Sequence, residues 1–165
     1  MASSAPTTIK HISLLYRIYF LYIEPIFALF GAYLAVFDPS TFLIGTLPGT
    51  VSRTLTSTTP SNTIPEIPVS PLLQMQLINV GALYILIAFA MGLALRFTRQ
   101  KNVWFAVFTG MACSDIGHLY AVWLMDPARM AALAAWSWEE WVNYGLLFGG
   151  LCLRVSFMMG VGNRW

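Results

Sequence analysis

The sequence predicts an all-α fold, an integral membrane bundle of four transmembrane helices with a polar pocket near the bilayer midplane. The first observation is composition, because 58% of the 165 residues are hydrophobic and 10% are charged, against about 25% charged in ordinary soluble domains. The second is the presence of long apolar stretches, and the third is a set of ionisable residues inside them. We therefore expect one transmembrane domain over residues 1–165, with no separate soluble part.

Four stretches are long enough to cross a bilayer, which takes about 20 mostly apolar residues. They are residues 12–37, 71–95, 103–125 and 138–162. The first is predicted to be a permanent span rather than a secretory signal, because it is too long, contains Glu24 and is followed by no small-residue cleavage site. Ser70 and Pro71 indicate the start of the second helix, and a capping box from Ser137 to Glu140 indicates the start of the fourth.

The connection between the first two spans, residues 38–70, differs from the rest of the chain. It is rich in Ser, Thr and Pro and shows no helical period. Two interpretations are open, a disordered loop and a lid folded over the mouth of the bundle. The apolar run Phe42, Leu43 and Ile44 favours contact of part of this loop with membrane or protein.

The distribution of charge predicts the orientation in the membrane. With four spans, the side that carries both termini has basic residues and no acidic ones: Lys10, Arg17, Arg96, Arg99, Lys101 and Arg164. The other side carries five acidic residues, offset by Arg53 and Arg129: Asp38, Glu66, Asp126, Glu139 and Glu140. Because Lys and Arg in short loops stay in the cytosol, we expect both termini there and residues 38–70 in the lumen of the endoplasmic reticulum.

Ionisable side chains at mid-membrane depth are the strongest functional signal. Each costs roughly 2.5–3.5 kcal/mol on insertion scales, so function is the default explanation. Glu24 and Asp115 lie near the midpoints of the first and third spans, and Arg154 lies slightly past the midpoint of the fourth. His118 follows Asp115 by one helical turn on the same face. These four residues are predicted to be catalytic, and the alternative is a structural ion-pair network that only holds the helices together.

Six further polar side chains are predicted to bind substrate, because helical spacing turns them toward the same interior. They are Arg17, Tyr22, Gln76, Asn79, Tyr120 and Asn143. Arg17 precedes Glu24 by seven residues, so the two should project from the same side of the first helix. Asn143 precedes Arg154 by eleven residues, which again places both on one side.

Several other functions lack their sequence signals. There is no metalloprotease, nucleophile-elbow or phosphate-loop motif, so we expect no metal and no cofactor. The basic residues are explained by topology, so no nucleic acid is expected as a partner. Gly145 and Gly149 form a GxxxG motif that fits close approach of another helix or a homodimer seam. The expected partners are therefore an apolar small-molecule substrate and the lipid bilayer, with homodimerisation left open.

Three segments carry a resemblance to a known group: YRIYFLYIEP at residues 16–25, DIGHLY at 115–120 and RVSFMMGVG at 154–162. The chain resembles a family of small fungal membrane proteins, mostly of unknown function, that is associated with membrane-bound epoxide hydrolases and cyclases of polyketide and terpenoid pathways. The resemblance covers most of the chain except the Ser/Thr/Pro-rich loop. The architecture is also similar to that of emopamil-binding-type sterol isomerases.

The resemblance and the buried charges together favour a membrane-embedded acid/base enzyme of fungal secondary metabolism that opens an epoxide, by hydrolysis or cyclisation. Burial favours the neutral form of one acid, and an arginine keeps the other ionised. Glu24 is the predicted acid and Asp115 the predicted base, oriented by Arg154, with Asn79 or Tyr120 holding the attacking oxygen. The alternatives are an isomerase or terpene cyclase that uses the same Glu24, a non-catalytic lipid or sterol binder, and a structural subunit of a membrane complex.

Overall fold

The computed structural model describes residues 8–56 and 67–163, and this part of the chain is helical. Its seven α-helices are α1 (Leu14–Phe37), α2 (Pro39–Thr46), α3 (Gly49–Thr56), α4 (Pro71–Gly92), α5 (Lys101–Met125), α6 (Pro127–Ala131) and α7 (Trp138–Met158). A 3₁₀ turn, Ala94–Arg96, extends α4. Apart from one isolated bridge between Thr8 and Gln100, the described residues form no β-structure.

Three of these helices are long and apolar enough to cross a membrane: α1, α4 with its 3₁₀ extension, and α5. They identify the chain as a membrane protein. The fourth long helix, α7, has 21 residues and is long enough, but polar residues such as Asn143 and Arg154 lower its mean hydropathy. By composition it therefore does not qualify as a span, although the sequence predicts one there.

The predicted starts of α4 and α7 are confirmed by side-chain caps. The Ser70 hydroxyl accepts a hydrogen bond from the first turn of α4, and Pro71 follows it. Ser137 and Glu140 form the predicted capping box, in which each side chain bonds the backbone N–H of the other. These caps satisfy N–H groups that a helix leaves without a partner at its start.

The first half of the connection 38–70 is helical, which the sequence analysis did not predict. Asp38 caps α2 through the Thr41 N–H at 3.1 Å, as Ser70 caps α4. Phe42 and Leu43 are buried against Ala35 of α1 and Leu77 of α4, so tertiary packing stabilises a helix too short to show a period. Of the two interpretations, the structure supports a cover packed on the bundle for this half, while residues 57–66 lie outside the described part.

The four long helices form two pairs, α1 with α4 and α5 with α7. Small residues bring α1 and α4 together. A Cβ atom added at Gly81 would lie 2.8 Å from Cγ2 of Val36, and one added at Gly31 would lie 2.9 Å from the Tyr84 ring. Such close backbone approach is typical of helix pairs in membranes, where van der Waals contact replaces the hydrophobic effect.

The two pairs converge at one end of the bundle and separate at the other. We call the end with residues 8–13 and 159–163 the terminal end, and the end with α2, α3 and α6 the loop end. All four long helices share one aromatic-rich core at the terminal end, with Phe20, Met91, Trp104, Phe108 and Phe157 at its centre. The loop end has two separate clusters instead, one around Phe42 and Leu77 and one around Met130, Trp136 and Tyr144.

A buried carboxylate joins the two halves of the loop end. Glu140 receives two hydrogen bonds from the Arg129 guanidinium, at 3.0 and 2.6 Å, and one from the Gly49 backbone N–H at 2.9 Å. The Ser137 N–H donates to it as well, at 2.6 Å. Glu140 thus connects α3, α6 and α7, and it holds the α2–α3 segment against the bundle.

A second, more exposed contact supports this attachment. The Thr50 hydroxyl donates to Asp126 at 2.5 Å, and the Arg129 backbone N–H donates to the same carboxylate at 2.9 Å. These hydrogen bonds, with that of Thr50 the larger cause, hold the pKa of Asp126 below its ordinary value. Asp126 therefore stays ionised at neutral pH and keeps its bond to α3.

Replacing Glu140 by glutamine is expected to lower the free energy of unfolding by about 2–3 kcal/mol, because the amide cannot accept all four hydrogen bonds and leaves Arg129 without its counter-ion. Glu139→Gln is the matched control one residue away, where the side chain is exposed and the expected loss is below about 1 kcal/mol. Unfolding of the purified protein in detergent measures both. Equal losses for the two variants would contradict the role given to Glu140.

Candidate functional site

A π-helical turn and a proline position Glu24. Residues Tyr19–Ile23 of α1 form the π turn, and the Glu24 N–H bonds the Tyr19 carbonyl five residues back. Pro25 has no N–H, so the Leu21 carbonyl lacks its helical partner and accepts a hydrogen bond from Arg96 Nη2 at 2.7 Å. Such π turns occur frequently at functional sites.

The same turn corrects one prediction. Seven-residue spacing placed Arg17 and Glu24 on one side of the first helix, but a π turn holds more residues per turn than an α-helix and rotates what precedes it. Arg17 is exposed, whereas Glu24 faces Arg154. The prediction failed because the spacing rule assumes an uninterrupted α-helix.

The structure brings three predicted catalytic residues together, and we call them the Arg154 cluster. Arg154 of α7 bonds Asp115 of α5 through Nη1 and Glu24 of α1 through Nη2. The side chains of Arg154, Asp115 and Glu24 are 2%, 8% and 14% exposed. A planar guanidinium with several fixed donors suits two carboxylates at once, so the cluster links the two helix pairs.

The charges of the Arg154 cluster do not balance when every group is ionised. Two carboxylates face one guanidinium, which leaves one negative charge in a setting of low dielectric constant. Among the described residues, Glu24 Oε2 and Arg154 Nε are buried without a hydrogen-bond partner. A proton on one carboxyl group removes both the excess charge and the need for a second cation.

Two residues that the sequence analysis missed, Gly150 and Tyr19, lie beside the guanidinium. A Cβ atom added at Gly150 would lie 2.9 Å from Arg154 Nη1 and 3.1 Å from the Tyr19 hydroxyl. Tyr19 in turn donates to the Leu146 carbonyl at 3.4 Å. Gly150 precedes Arg154 by four residues, so both lie on one face of α7. This spacing is the sequence signal that could have identified Gly150 as a neighbour of the guanidinium.

The GxxxG motif consists of two nearby glycines, Gly145 and Gly149, and does not include Gly150. Gly149 is exposed, with open space around its missing side chain. Gly145 has only the Trp141 ring near it, at 3.7 Å. Neither glycine touches the Arg154 cluster, and the homodimer stays a prediction.

A cavity of about 490 Å³ lies between the two helix pairs. The Arg154 cluster lines its terminal end, and apolar side chains such as Phe27, Phe30 and Leu146 line its middle. Residues of α2, including Thr41 and Thr46, line its loop end. The cavity is thus a largely apolar chamber with the Arg154 cluster at the bottom and α2 at the top, a form typical of binding sites for apolar small molecules.

Five predicted site residues line this cavity: Glu24, Asp115, His118, Asn143 and Arg154. His118 lies one turn beyond Asp115, and its Nδ1 atom is 3.0 Å from the Ser114 carbonyl oxygen. The other five, Arg17, Tyr22, Gln76, Asn79 and Tyr120, are exposed and do not line it. The Tyr22 ring instead packs on the Arg96 guanidinium, 4.3 Å from ring centre to Cζ.

Helix α4 explains why Gln76 and Asn79 point outward. Its buried residues include Leu77, Gly81 and Ala88, and Gly81 lies against Ala32 and Val36 on the face that packs on α1. Gln76 and Asn79 lie beside this face rather than on it, so the stripe predicted for the second helix turns away from the cavity. The prediction assumed that polar residues face inward, whereas close packing of α4 decides its rotation.

Comparison with protein families gives a match over most of the chain. The sequence profile of a domain of unknown function (DUF7704) matches residues 9–164. The chain belongs to the DUF7704 family. Membership agrees with the predicted resemblance to a family of mostly unknown function, and the fungal origin and the epoxide chemistry stay predictions. No curated protein and no solved structure matches the chain.

Gly150→Ala in this DUF7704 protein is expected to displace the Arg154 guanidinium and to lower the free energy of unfolding by about 1–3 kcal/mol, because the added methyl group overpacks the cluster. Gly149→Ala is the adjacent control, expected to be neutral or stabilising by up to about 1 kcal/mol. Thermal unfolding in detergent compares them. A loss for Gly149→Ala as large as that for Gly150→Ala would show that the cluster is not the cause.

Proposed function

We propose that this DUF7704 protein is a membrane-embedded acid/base enzyme that opens an epoxide, by hydrolysis or cyclisation, on an apolar polyketide or terpenoid intermediate of fungal secondary metabolism. One observation carries the proposal. Two carboxyl groups share a single arginine at the charged end of an apolar cavity, and one oxygen of Glu24 has no partner among the described residues. Such a pair can donate and accept protons in one turnover.

The reaction needs an acid and a base on opposite faces of the ring. Glu24 protonates the epoxide oxygen from Oε2 as the carbon–oxygen bond breaks. Asp115 accepts the proton of the attacking water or internal hydroxyl, whose oxygen bonds the carbon from the opposite side. Glu24 loses one proton and Asp115 gains one, so a proton transfer from Asp115 to Glu24 restores the enzyme.

The remaining residues have supporting roles in this proposal. Arg154 keeps Asp115 ionised and fixes the distance between the two carboxyl groups. His118 faces the cavity one turn from Asp115 and stabilises its charge. Asn79 and Tyr120, which the sequence analysis assigned to the attacking oxygen, do not line the cavity and receive no such role.

A purely structural role explains the Arg154 cluster less well. Buried ion pairs contribute little net stability compared with well-packed apolar side chains, and a structural network has no need for two acids on one base. The Glu24 oxygen without a hydrogen-bond partner in the described part of the chain lies beside the cavity and lowers the stability of the fold. A role in donating a proton to a bound molecule explains why this oxygen is left free.

Activity is tested by co-expression with epoxidised precursors and product analysis in ¹⁸O-labelled water. We expect wild-type protein to open the ring, and Glu24→Gln, Asp115→Asn and Arg154→Met each to reduce turnover by about 100-fold or more. Cys152→Ala, at an exposed position of α7, should retain full activity. Full activity of all three cluster variants would exclude the proposal.

The label also separates the competing reactions. A hydrolase incorporates ¹⁸O, whereas a cyclase that uses an internal hydroxyl keeps the oxygen of the substrate. An isomerase or terpene cyclase takes up only deuterium from heavy water, which would show that a different reaction uses the same acid. A non-catalytic binder returns the added compound unchanged.

We also propose that the chain crosses the membrane four times and has both termini in the cytosol. Contacts between the two ends of the chain support this topology. The Ser13 N–H donates to Asn163 Oδ1 at 3.2 Å, and the Tyr16 hydroxyl donates to the Val161 carbonyl at 2.9 Å. These contacts support a C-terminus on the same side as the start of α1. The basic residues of that side support a cytosolic location, in the endoplasmic reticulum membrane.

An N-linked glycan acceptor introduced near Thr58 is expected to be modified, and one introduced after Asn163 is expected to stay unmodified. Gel mobility before and after deglycosylation measures both. Modification at both sites would indicate that α7 does not cross the membrane, because three spans place the chain ends on opposite sides. Modification only after Asn163 would reverse the orientation.

A further inference from the structure

The cavity has a second polar region, far from the Arg154 cluster. Along α1 the cavity lining extends from Glu24 of this cluster to Leu34, a rise of about 15 Å at 1.5 Å per residue. The Arg154 cluster occupies one end of this length. The opposite end is lined by Thr41 and Thr46 of α2 and by Asn143 of α7, with chiefly apolar side chains between the two ends.

Asn143 is the residue at the loop end best placed to bind a ligand. Its side-chain amide reaches the Thr46 carbonyl at 3.5 Å, at the limit of a hydrogen bond. Tyr144 donates to the same carbonyl at 3.3 Å. The Thr46 carbonyl therefore does not depend on Asn143, and the half-buried amide can donate to a molecule in the cavity.

The charge at the loop end of the cavity disfavours an anionic ligand. Glu139 lines the cavity there, and its negative charge opposes an anion. The basic side chains among the described lining residues, Arg154 and His118, lie toward the other end, and Arg154 is already bonded to two carboxyl groups. A carboxylate or phosphate at the loop end would meet no cation, whereas a hydroxyl or carbonyl oxygen needs none.

We propose that the ligand is a long, neutral molecule with an oxygen function at each end. The reacting oxygen lies at the Arg154 cluster, an apolar body fills the middle, and a hydroxyl or carbonyl group binds Asn143 and Thr41 at the loop end. The assignment of the reacting end rests on the proposed function. The loop-end site depends on its own residues, so it can be tested separately by binding.

The test uses three probes: the terminal epoxide of hexadecane, its ω-hydroxyl derivative and its ω-carboxyl derivative. Ligand-induced thermal stabilisation of the purified protein in detergent gives the affinity, and product analysis gives ring opening. We expect the ω-hydroxyl probe to bind about five- to tenfold more tightly than the unsubstituted epoxide, the gain expected of one hydrogen bond. The ω-carboxyl probe should bind more weakly than the ω-hydroxyl probe.

Variants connect this gain to the loop end. Asn143→Leu should abolish the advantage of the ω-hydroxyl probe and leave the unsubstituted epoxide binding as in wild type, which also shows that the variant is folded. Thr41→Val should reduce the advantage in the same way. Gln76→Leu, exposed outside the cavity, should preserve it.

Failure of the loop-end site and failure of the proposed function give different results. Equal affinity for the ω-hydroxyl and unsubstituted probes, or an advantage that survives in Asn143→Leu, overturns the loop-end site whether or not the ring is opened. Tighter binding of the ω-hydroxyl probe with loss of the advantage in Asn143→Leu, but with every epoxide recovered intact, supports the loop-end site and counts against the proposed function.

Discussion

The structure depends on one arginine that two carboxyl groups share. Arg154 bonds Glu24 and Asp115, which come from different helix pairs, and a charged group at this depth is stable only with partners. The bare helix surface at Gly150 gives the guanidinium room. The π turn before Glu24 and the loss of a backbone bond at Pro25 adapt α1 to the same contact, with Arg96 satisfying the freed carbonyl.

The cavity follows from how the helix pairs diverge. At the terminal end one aromatic-rich core holds all four long helices, whereas the loop end has two separate clusters. Glu140 and its partners bring α3 against α6 and α7 there, while Phe42 fixes α2 to α1 and α4. The cover over the cavity is therefore bonded to both pairs, and Glu24 and Asp115 lie at the bottom of a largely apolar chamber.

The sequence predicted the centre of the site better than its surroundings. A charged side chain in an apolar helix is stable only beside a partner of opposite charge. The depth of Glu24, Asp115 and Arg154 in their helices and the signs of their charges were therefore enough to predict that they lie together. Gln76, Asn79 and Tyr120 are uncharged and tolerate the outer surface of a helix, so their spacing did not determine which way they face. The helices of residues 39–56 and the contact at Gly150 depend on tertiary packing, which periodicity does not report.

The protonation of the Arg154 cluster connects the fold with the proposed chemistry, and infrared difference spectroscopy measures it directly. With one guanidinium for two acids, we expect the carbonyl band of a protonated carboxyl group at neutral pH in the purified, membrane-reconstituted protein. Because one acid alone balances the charge of Arg154, Glu24→Gln and Asp115→Asn should both remove that band, so isotope labelling assigns it: a ¹³C label in glutamate carboxyl groups should shift the band, and one in aspartate should not. A spectrum with both carboxyl groups ionised, or a band that shifts only with labelled aspartate, would contradict the assignment of Glu24 as the acid.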